Sequence, residues 1–247
     1  MSADEAVAEL PSGGQARAGH VLEWAARITI VAVFTAMAVL NLAGIYQLVP
    51  IDGPEKLLEI AARLANCMFL VLIAATALTR LSPVLKAKGI EPRVSALLGT
   101  FLCTALALLP RAELSPALSI TSTMLIMIGS VLSFVVLRWL GKSFSILAEA
   151  RRLVTTGPYK VVRHPLYLCE GIALLGVLLQ VISPLAVVTA LVIALIQFRR
   201  MINEEAVLNS AFPGYLEYAE RTPRVIPRLL TGFFLRSIAV KNDALPR

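Results

Sequence analysis

The sequence predicts an all-α protein that crosses a membrane about six times, with five crossings as the smaller count. Three observations lead there. The chain is 57% hydrophobic with a mean hydropathy of +0.78, whereas soluble domains hold about 45–50% apolar residues. Several apolar runs approach or exceed the ~20 residues that a bilayer span needs. Lys and Arg crowd into alternate loops, as they do when one side of a polytopic protein is held in the cytoplasm.

Residues 1–23 are polar, small and acid-containing, without the apolar core of a cleavable signal, and are expected to form a disordered tail. Residues 24–140 carry the N-terminal spans. The first, Trp24–Val49, is closed by Pro50 and the turn-forming Asp52-Gly53-Pro54. The second, Leu57–Leu78, places Glu59 and Arg63 four apart on one helix face. A short third span, Val94–Leu109, ends at Pro110, and a long fourth runs Ala117–Leu140. The fifth, Leu166–Ile182, turns at Ser183-Pro184 straight into the sixth, Leu185–Phe198, which makes the last two an antiparallel hairpin.

With the N-terminus in the cytoplasm, that side collects Arg17, Arg80, Lys86, Lys88, Arg93, Arg138, Lys142, Arg151, Arg152, Lys160, Arg163, Arg199, Arg200 and the basic C-terminus. The other side holds Lys56, Arg111 and Arg63. Both termini and the loops bearing the candidate site are therefore expected to be cytoplasmic. The net charge of +7 is explained by this bias and by anionic lipid headgroups, so no nucleic-acid partner is expected. Cys67, Cys103 and Cys169 are odd in number, lack C-x-x-C spacing and lie in or beside apolar runs. They suit packing, and no metal site is expected.

The stretch Arg151–Tyr167, RRLVTTGPYKVVRHPLY, is too polar to face lipid and must line an aqueous surface or a ligand. Pro165 suits the first turn of the fifth helix, which puts Arg163 and His164 at its N-terminal mouth, where an anionic group is favoured. Beyond the sixth span, Glu205, Leu208 and Phe212 continue a helical spacing until Pro213-Gly214. Tyr215, Tyr218 and Arg221 then form a stripe on a short helix, the tyrosines in keeping with an interfacial aromatic belt. The adjacent carboxylates Glu204 and Glu205 call for cationic neighbours, and Arg163, Arg199 and Arg200 are within reach. There is no G-x-S-x-G, H-E-x-x-H or Walker loop. The set suits a polar or zwitterionic cofactor meeting a lipid-borne substrate.

Three blocks carry a family resemblance: L-V-T-x-G-x-Y from Leu153 to Tyr159, V-R-H-P-x-Y from Val162 to Tyr167, and E-E-x-x-L from Glu204 to Leu208 followed by F-x-G-Y-x-x-Y-x-x-R-T-x-R from Phe212 to Arg224. Together they resemble the isoprenylcysteine carboxyl methyltransferases, membrane enzymes that use S-adenosylmethionine and have phospholipid methyltransferases as distant relatives. The resemblance covers roughly residues 140–228. It implies that residues 141–228 form the catalytic region, with 229–247 a C-terminal tail and a cytoplasmic cofactor pocket made by the C-terminal half.

By position, the resemblance puts Tyr159, Arg163, His164, Pro165 and Tyr167 on the cofactor, with Glu204 or Glu205 meeting the methionine ammonium or the ribose. Arg200, Tyr218 and Arg221 would act on the reacting carboxylate, and Tyr215 and Arg224 would bind the substrate, a prenylated or otherwise lipid-linked molecule. One departure is Cys169, where that family usually has glycine after R-H-P-x-Y. Competing readings are a phospholipid or amine N-methyltransferase, a membrane reductase with a nicotinamide cofactor, and a non-enzymatic membrane scaffold.

Overall fold

The computed structural model describes residues 13–227. Its helices are α1 (Gly13–Tyr46), α2 (Pro54–Thr79), α3 (Glu91–Ala107), α4 (Pro116–Leu140), α5 (Pro165–Gln180), α6 (Pro184–Ala211) and the short α7 (Tyr215–Arg221). The remaining regular structure is two single 3-10 turns, Gly141–Ser143 and Gly157–Lys160, and a two-residue antiparallel pair, β1 (Leu85–Lys86) with β2 (Glu149–Ala150). The chain is an integral membrane protein: α1, α2, α4 and α6 each contain a segment long and apolar enough to cross a bilayer.

The helix starts follow local chemistry. Pro116 and Pro184 occupy first-turn positions, where a missing N–H costs nothing. Ahead of them the Ser115 hydroxyl accepts from the Leu118 N–H at 3.4 Å and the Ser183 hydroxyl accepts from the Ala186 N–H at 3.2 Å. Glu59 and Arg63 pair at 2.8 Å along α2. α6 runs unbroken past the expected end of the sixth span to Ala211, and Pro213-Gly214 separates it from α7.

Two expectations are corrected or refined. The presumed tail is helical from Gly13 onward, because Ala-rich sequence favours helix and Glu23 and Arg27 pair across one turn at 3.1 Å. Residues 1–12 of that tail and the C-terminal tail 229–247 lie outside the described residues. The expected third and fifth spans are helices of 17 and 16 residues. At 1.5 Å per residue they rise about 24–26 Å, less than the roughly 30 Å hydrocarbon core.

The helices alternate in direction. At one end of the bundle the Ala112 N–H donates to the Gln180 carbonyl at 2.8 Å, and Arg111 pairs with Glu59 at 3.6 Å. At the other, the Leu81 N–H donates to the Lys142 carbonyl at 2.9 Å and β1 pairs with β2. There too Arg199 and Asn203 of α6 hold Glu91 at the start of α3, each at 3.0 Å. This second end gathers the basic loops. The outward faces carry exposed Leu40, Leu64, Leu191 and Leu195, as a lipid-facing exterior requires.

The tightest packing is α4 against α5. A Cβ built on Gly129 would lie 2.6 Å from the Ala173 nitrogen and 2.8 Å from the Cys169 carbonyl. Small residues let membrane helices approach closely, and here Gly129 on the facing helix provides the room although position 169 is a cysteine. The Ser122 hydroxyl donates to the Gly176 carbonyl at 2.9 Å in the same interface.

Candidate active site

Arg163 and His164 are fixed by backbone pairing before any side chain acts. Their N–H groups donate to the carbonyls of Pro223 and Arg224, at 2.8 and 3.0 Å. The segment after α7 thus lies across the mouth of α5 and takes the backbone N–H groups of Arg163 and His164. The anion at this mouth is the chain's own Glu205.

Glu205 is a hub. Arg224 grips it with two parallel bonds, Nε to Oε1 at 2.9 Å and Nη2 to Oε2 at 2.7 Å. Arg163 Nη1 lies 3.2 Å from Oε2, and His164 Nε2 lies 2.9 Å from Oε1. Bidentate arginine pairs of this kind are both strong and directional. The bond to Glu205 also holds the Arg224 guanidinium above its usual pKa. With three cationic or donor partners around it, Glu205 is committed to joining α5, α6 and the tail.

Glu204 has a different environment. It accepts a hydrogen bond from the Tyr167 hydroxyl, its Oε2 is 3.9 Å from His164 Nδ1, and it lines a cavity that Glu205 does not reach. The two carboxylates, equivalent in the sequence, are thereby separated: one ties the fold together and one faces open space.

The cavity holds about 300 Å³, near the lower end of small-molecule sites. It follows α5 through His164, Tyr167, Glu170, Leu174 and Val177, successive residues on one helix face. At the basic end its wall includes Tyr159, Arg163, Glu204, Tyr215 and Tyr218; toward the bundle centre it includes Phe34, Phe69, Leu70 and Ile73. Helices α1 and α2 therefore contribute wall, and the cavity is not confined to the C-terminal half.

The other candidates are placed as follows. Arg200 is buried on α6 and lines the cavity, with Nη1 donating to Gln197 at 2.8 Å, Nη2 to the Ile146 carbonyl at 3.2 Å, and its guanidinium over the Tyr167 ring at 5.2 Å. The Tyr218 hydroxyl donates to the Tyr159 carbonyl at 2.7 Å, and the Tyr215 hydroxyl accepts from Arg163 at 3.3 Å. Burial pushes both phenols up to about 12 and raises Tyr159 further. Pro165 is buried in the first turn of α5.

Four expected site residues do not line the cavity: Pro165 and Glu205, placed above, and Arg224 and Arg221. Arg224 is the clamp on Glu205. Arg221, expected beside the reacting carboxylate, stands on the exposed face of α7 with 76% of its side chain accessible, paired with Glu217 at 2.7 Å. A seven-residue helix buries only one stripe, and Tyr215 and Tyr218 occupy it.

Sequence reasoning missed Glu170, a carboxylate in the cavity wall whose Oε2 lies 3.5 Å from the Gln197 amide nitrogen. The signal was its position three residues after Tyr167, one turn along the same face, hidden because the segment reads as an apolar span. Among the described residues no group of three His, Cys, Asp or Glu side chains is arranged to hold a metal ion.

The bundle thus carries a mixed polar and apolar cavity at the R-H-P and E-E blocks. Residues 117–214 match the family described as phospholipid methyltransferase.

Among curated proteins, the nickel-cobalt-cadmium resistance protein NccN of Alcaligenes xylosoxydans is 43% identical over 83 residues, 33% of this chain and 38% of that one. The cobalt-zinc-cadmium resistance protein CzcN of Cupriavidus metallidurans is 47% identical over 79 residues, 31% and 36% of the two chains. Protein-S-isoprenylcysteine O-methyltransferase B of Arabidopsis thaliana is 33% identical over 110 residues, 42% of this chain and 56% of that one. The chain thus spans less than two fifths of the first two relatives and about half of the third.

Proposed function

We propose that this protein transfers a methyl group from S-adenosylmethionine to the carboxylate of an isoprenylcysteine-like, lipid-linked substrate at the membrane. The observation that carries the reading is the continuity of one cavity from His164, Tyr167 and Glu204 to Phe34, Phe69 and Ile73. Such a space accepts a charged nucleoside at one end and a lipid chain at the other. The residues present fit the donor: Glu204 offers a carboxylate to an ammonium or ribose hydroxyl, and Tyr159, Tyr167 and Tyr215 offer aromatic faces to adenine or sulfonium. The basic end lies on the cytoplasmic side in this reading, following the distribution of Lys and Arg.

Bound donor supplies an electrophilic methyl carbon on a sulfonium, which leaves as a neutral thioether as the acceptor oxygen bonds to that carbon. The protein's task is then orientation and water exclusion. A C-terminal carboxyl, with a pKa near ~3.5, is already ionised at neutral pH, so no strong base is needed. In this reading Arg200, held by Gln197, the Ile146 carbonyl and the Tyr167 ring, orients the acceptor carboxylate. Glu205 keeps Arg163 and His164 in position at the cavity's edge, and His164 acts as a positioning residue rather than a base.

A second reading is favoured by one observation. Glu170 places a carboxylate in the same wall, where a cationic amine acceptor would find a partner, as in phospholipid or amine N-methylation. That acceptor must lose a proton before attack, so its rate should climb with pH through the amine pKa.

One assay separates these. Solubilised protein is given tritiated S-adenosylmethionine with N-acetyl-farnesylcysteine and, in parallel, with phosphatidylethanolamine. Base-labile label in the first reaction is the expected result. Base-stable label only in the second establishes N-methylation, and no transfer to either acceptor rejects both acceptor classes.

A further inference from the structure

We infer that Arg151 and Ser143 form an oxyanion-binding subsite in the wall of the cavity. The inference rests on the proposed methyl-transfer reading and adds to it the group that this part of the wall recognises. Both residues line the cavity, and both are more than nine-tenths buried: Arg151 is 5% exposed and Ser143 8%. Arg151 donates through Nη2 to Glu149, while its Nε and Nη1 and the Ser143 hydroxyl have no protein partner.

Leaving buried donors unpaired is costly, and more so for charged groups. Two donors on one guanidinium and a hydroxyl, all in the wall of a single cavity, are the complement of an oxygen-rich anion. Guanidinium is suited to carboxylate or phosphate through paired N–H groups.

The charge balance agrees. Glu149 is shared: its Oε2 also accepts from the Ser145 hydroxyl at 2.8 Å, and its Oε1 lies 3.9 Å from Lys86 Nζ. Arg80 is near enough for its charge to repel that of Arg151, and Arg27 donates to the Arg80 carbonyl at 3.3 Å. Against Arg27, Arg80, Lys86 and Arg151 stand two carboxylates, Glu23 and Glu149. The surplus is positive, and an anion would offset it.

The anion is either the amino-acid carboxylate of the methyl donor or an acidic group on the acceptor. The test compares wild type with Arg151→Gln, Arg151→Lys and the mild Ser143→Ala, all purified in detergent and checked for an unchanged helical spectrum. Titration uses S-adenosylhomocysteine and 5′-methylthioadenosine, which lacks the amino-acid carboxylate. A tenfold or greater loss of S-adenosylhomocysteine affinity in Arg151→Gln, with 5′-methylthioadenosine unchanged, assigns the subsite to the donor. Unchanged affinity for both, with a tenfold rise in KM for N-acetyl-farnesylcysteine or phosphatidylethanolamine at nearly constant kcat, assigns it to the acceptor.

Inorganic phosphate gives an arm that needs no methyl donor: it should raise the Tm of wild type and leave Arg151→Gln unmoved. If wild type binds neither nucleoside, the methyl-transfer reading fails, and the phosphate arm still decides the subsite. Equal phosphate response in wild type and variants, together with unaltered affinity and KM, overturns the inference.

Discussion

Glu204 and Glu205 are adjacent in sequence and opposed in duty, and their substitutions should separate cleanly. Glu205→Gln removes the charge that Arg163, Arg224 and His164 share, leaving two arginines without their counter-ion. Breaking such a partly buried network costs roughly 3–5 kcal/mol, so thermal unfolding of this variant should drop markedly. Glu204→Gln should keep the fold, because a Gln oxygen still accepts from the Tyr167 hydroxyl and the contact with His164 Nδ1 is loose, at 3.9 Å. It should instead weaken S-adenosylhomocysteine binding, measured by titration. Equal loss of stability in both variants would erase the division. The arginines form a similar pair: Arg200→Lys exchanges a fork for a point charge inside the cavity and should lower methyl transfer roughly a hundredfold. Arg221→Lys alters an exposed pair of small energetic weight and should leave activity within about twofold.

At the scale of elements, the α4–α5 contact and the docking of α7 control the cavity's shape. Gly129→Ala sets a Cβ against the Ala173 nitrogen at 2.6 Å, and backbone cannot rotate away. The helices must part, at about 1–3 kcal/mol, which a lower Tm should register. Gly171→Ala, with nothing within 4 Å of its Cβ, should be neutral or slightly stabilising.

For α7, the phenols of Tyr215 and Tyr218 hold their protons to about 12, against about 10 in an unfolded chain. Because the folded value is raised, their contribution is fully present below about pH 10 and is lost as pH climbs through about 12. Release of α7, followed by tyrosinate absorbance and limited proteolysis, should fall in that window, and Tyr218→Phe should reduce the tyrosinate signal accompanying it.

The boundaries of these elements were legible in the sequence. Pro165, Pro184 and Pro213-Gly214 mark helix limits by local sterics alone. The division of Glu204 from Glu205 was not legible, since neighbouring residues on a helix point about 100° apart, and only the placement of α5 and the tail decides which one meets Arg224. Arg151 was legible only as the first residue of a polar stretch bound to line water or a ligand; its burial beside Glu149 depends on the β1–β2 pairing with a segment far back in the chain.

Viewed as a whole, the molecule is a bundle with one heavily charged end, and the methyl-transfer reading requires that end to face the compartment supplying the donor. The sequence supports this through Lys and Arg placement, and the structure adds that the basic loops, the start of α5 and the segment after α7 converge there. The helices α3 and α5 are short for a full crossing, so the membrane must thin around them or they must be flanked by protein.

Orientation is open to direct measurement because the native thiols are sheltered: Cys67 and Cys169 are buried and Cys103 is half-buried. Single cysteines replace two exposed residues at opposite ends of the bundle, Lys160→Cys beside the candidate site and Asp52→Cys in the α1–α2 turn. Vesicles of known sidedness are treated with a membrane-impermeant maleimide. Position 160 should label only when the cytoplasmic face is open and position 52 only from the opposite face. Labelling of both from one side would break the alternation of helices, and a reversed pattern would put the cavity mouth where cytoplasmic S-adenosylmethionine does not reach it.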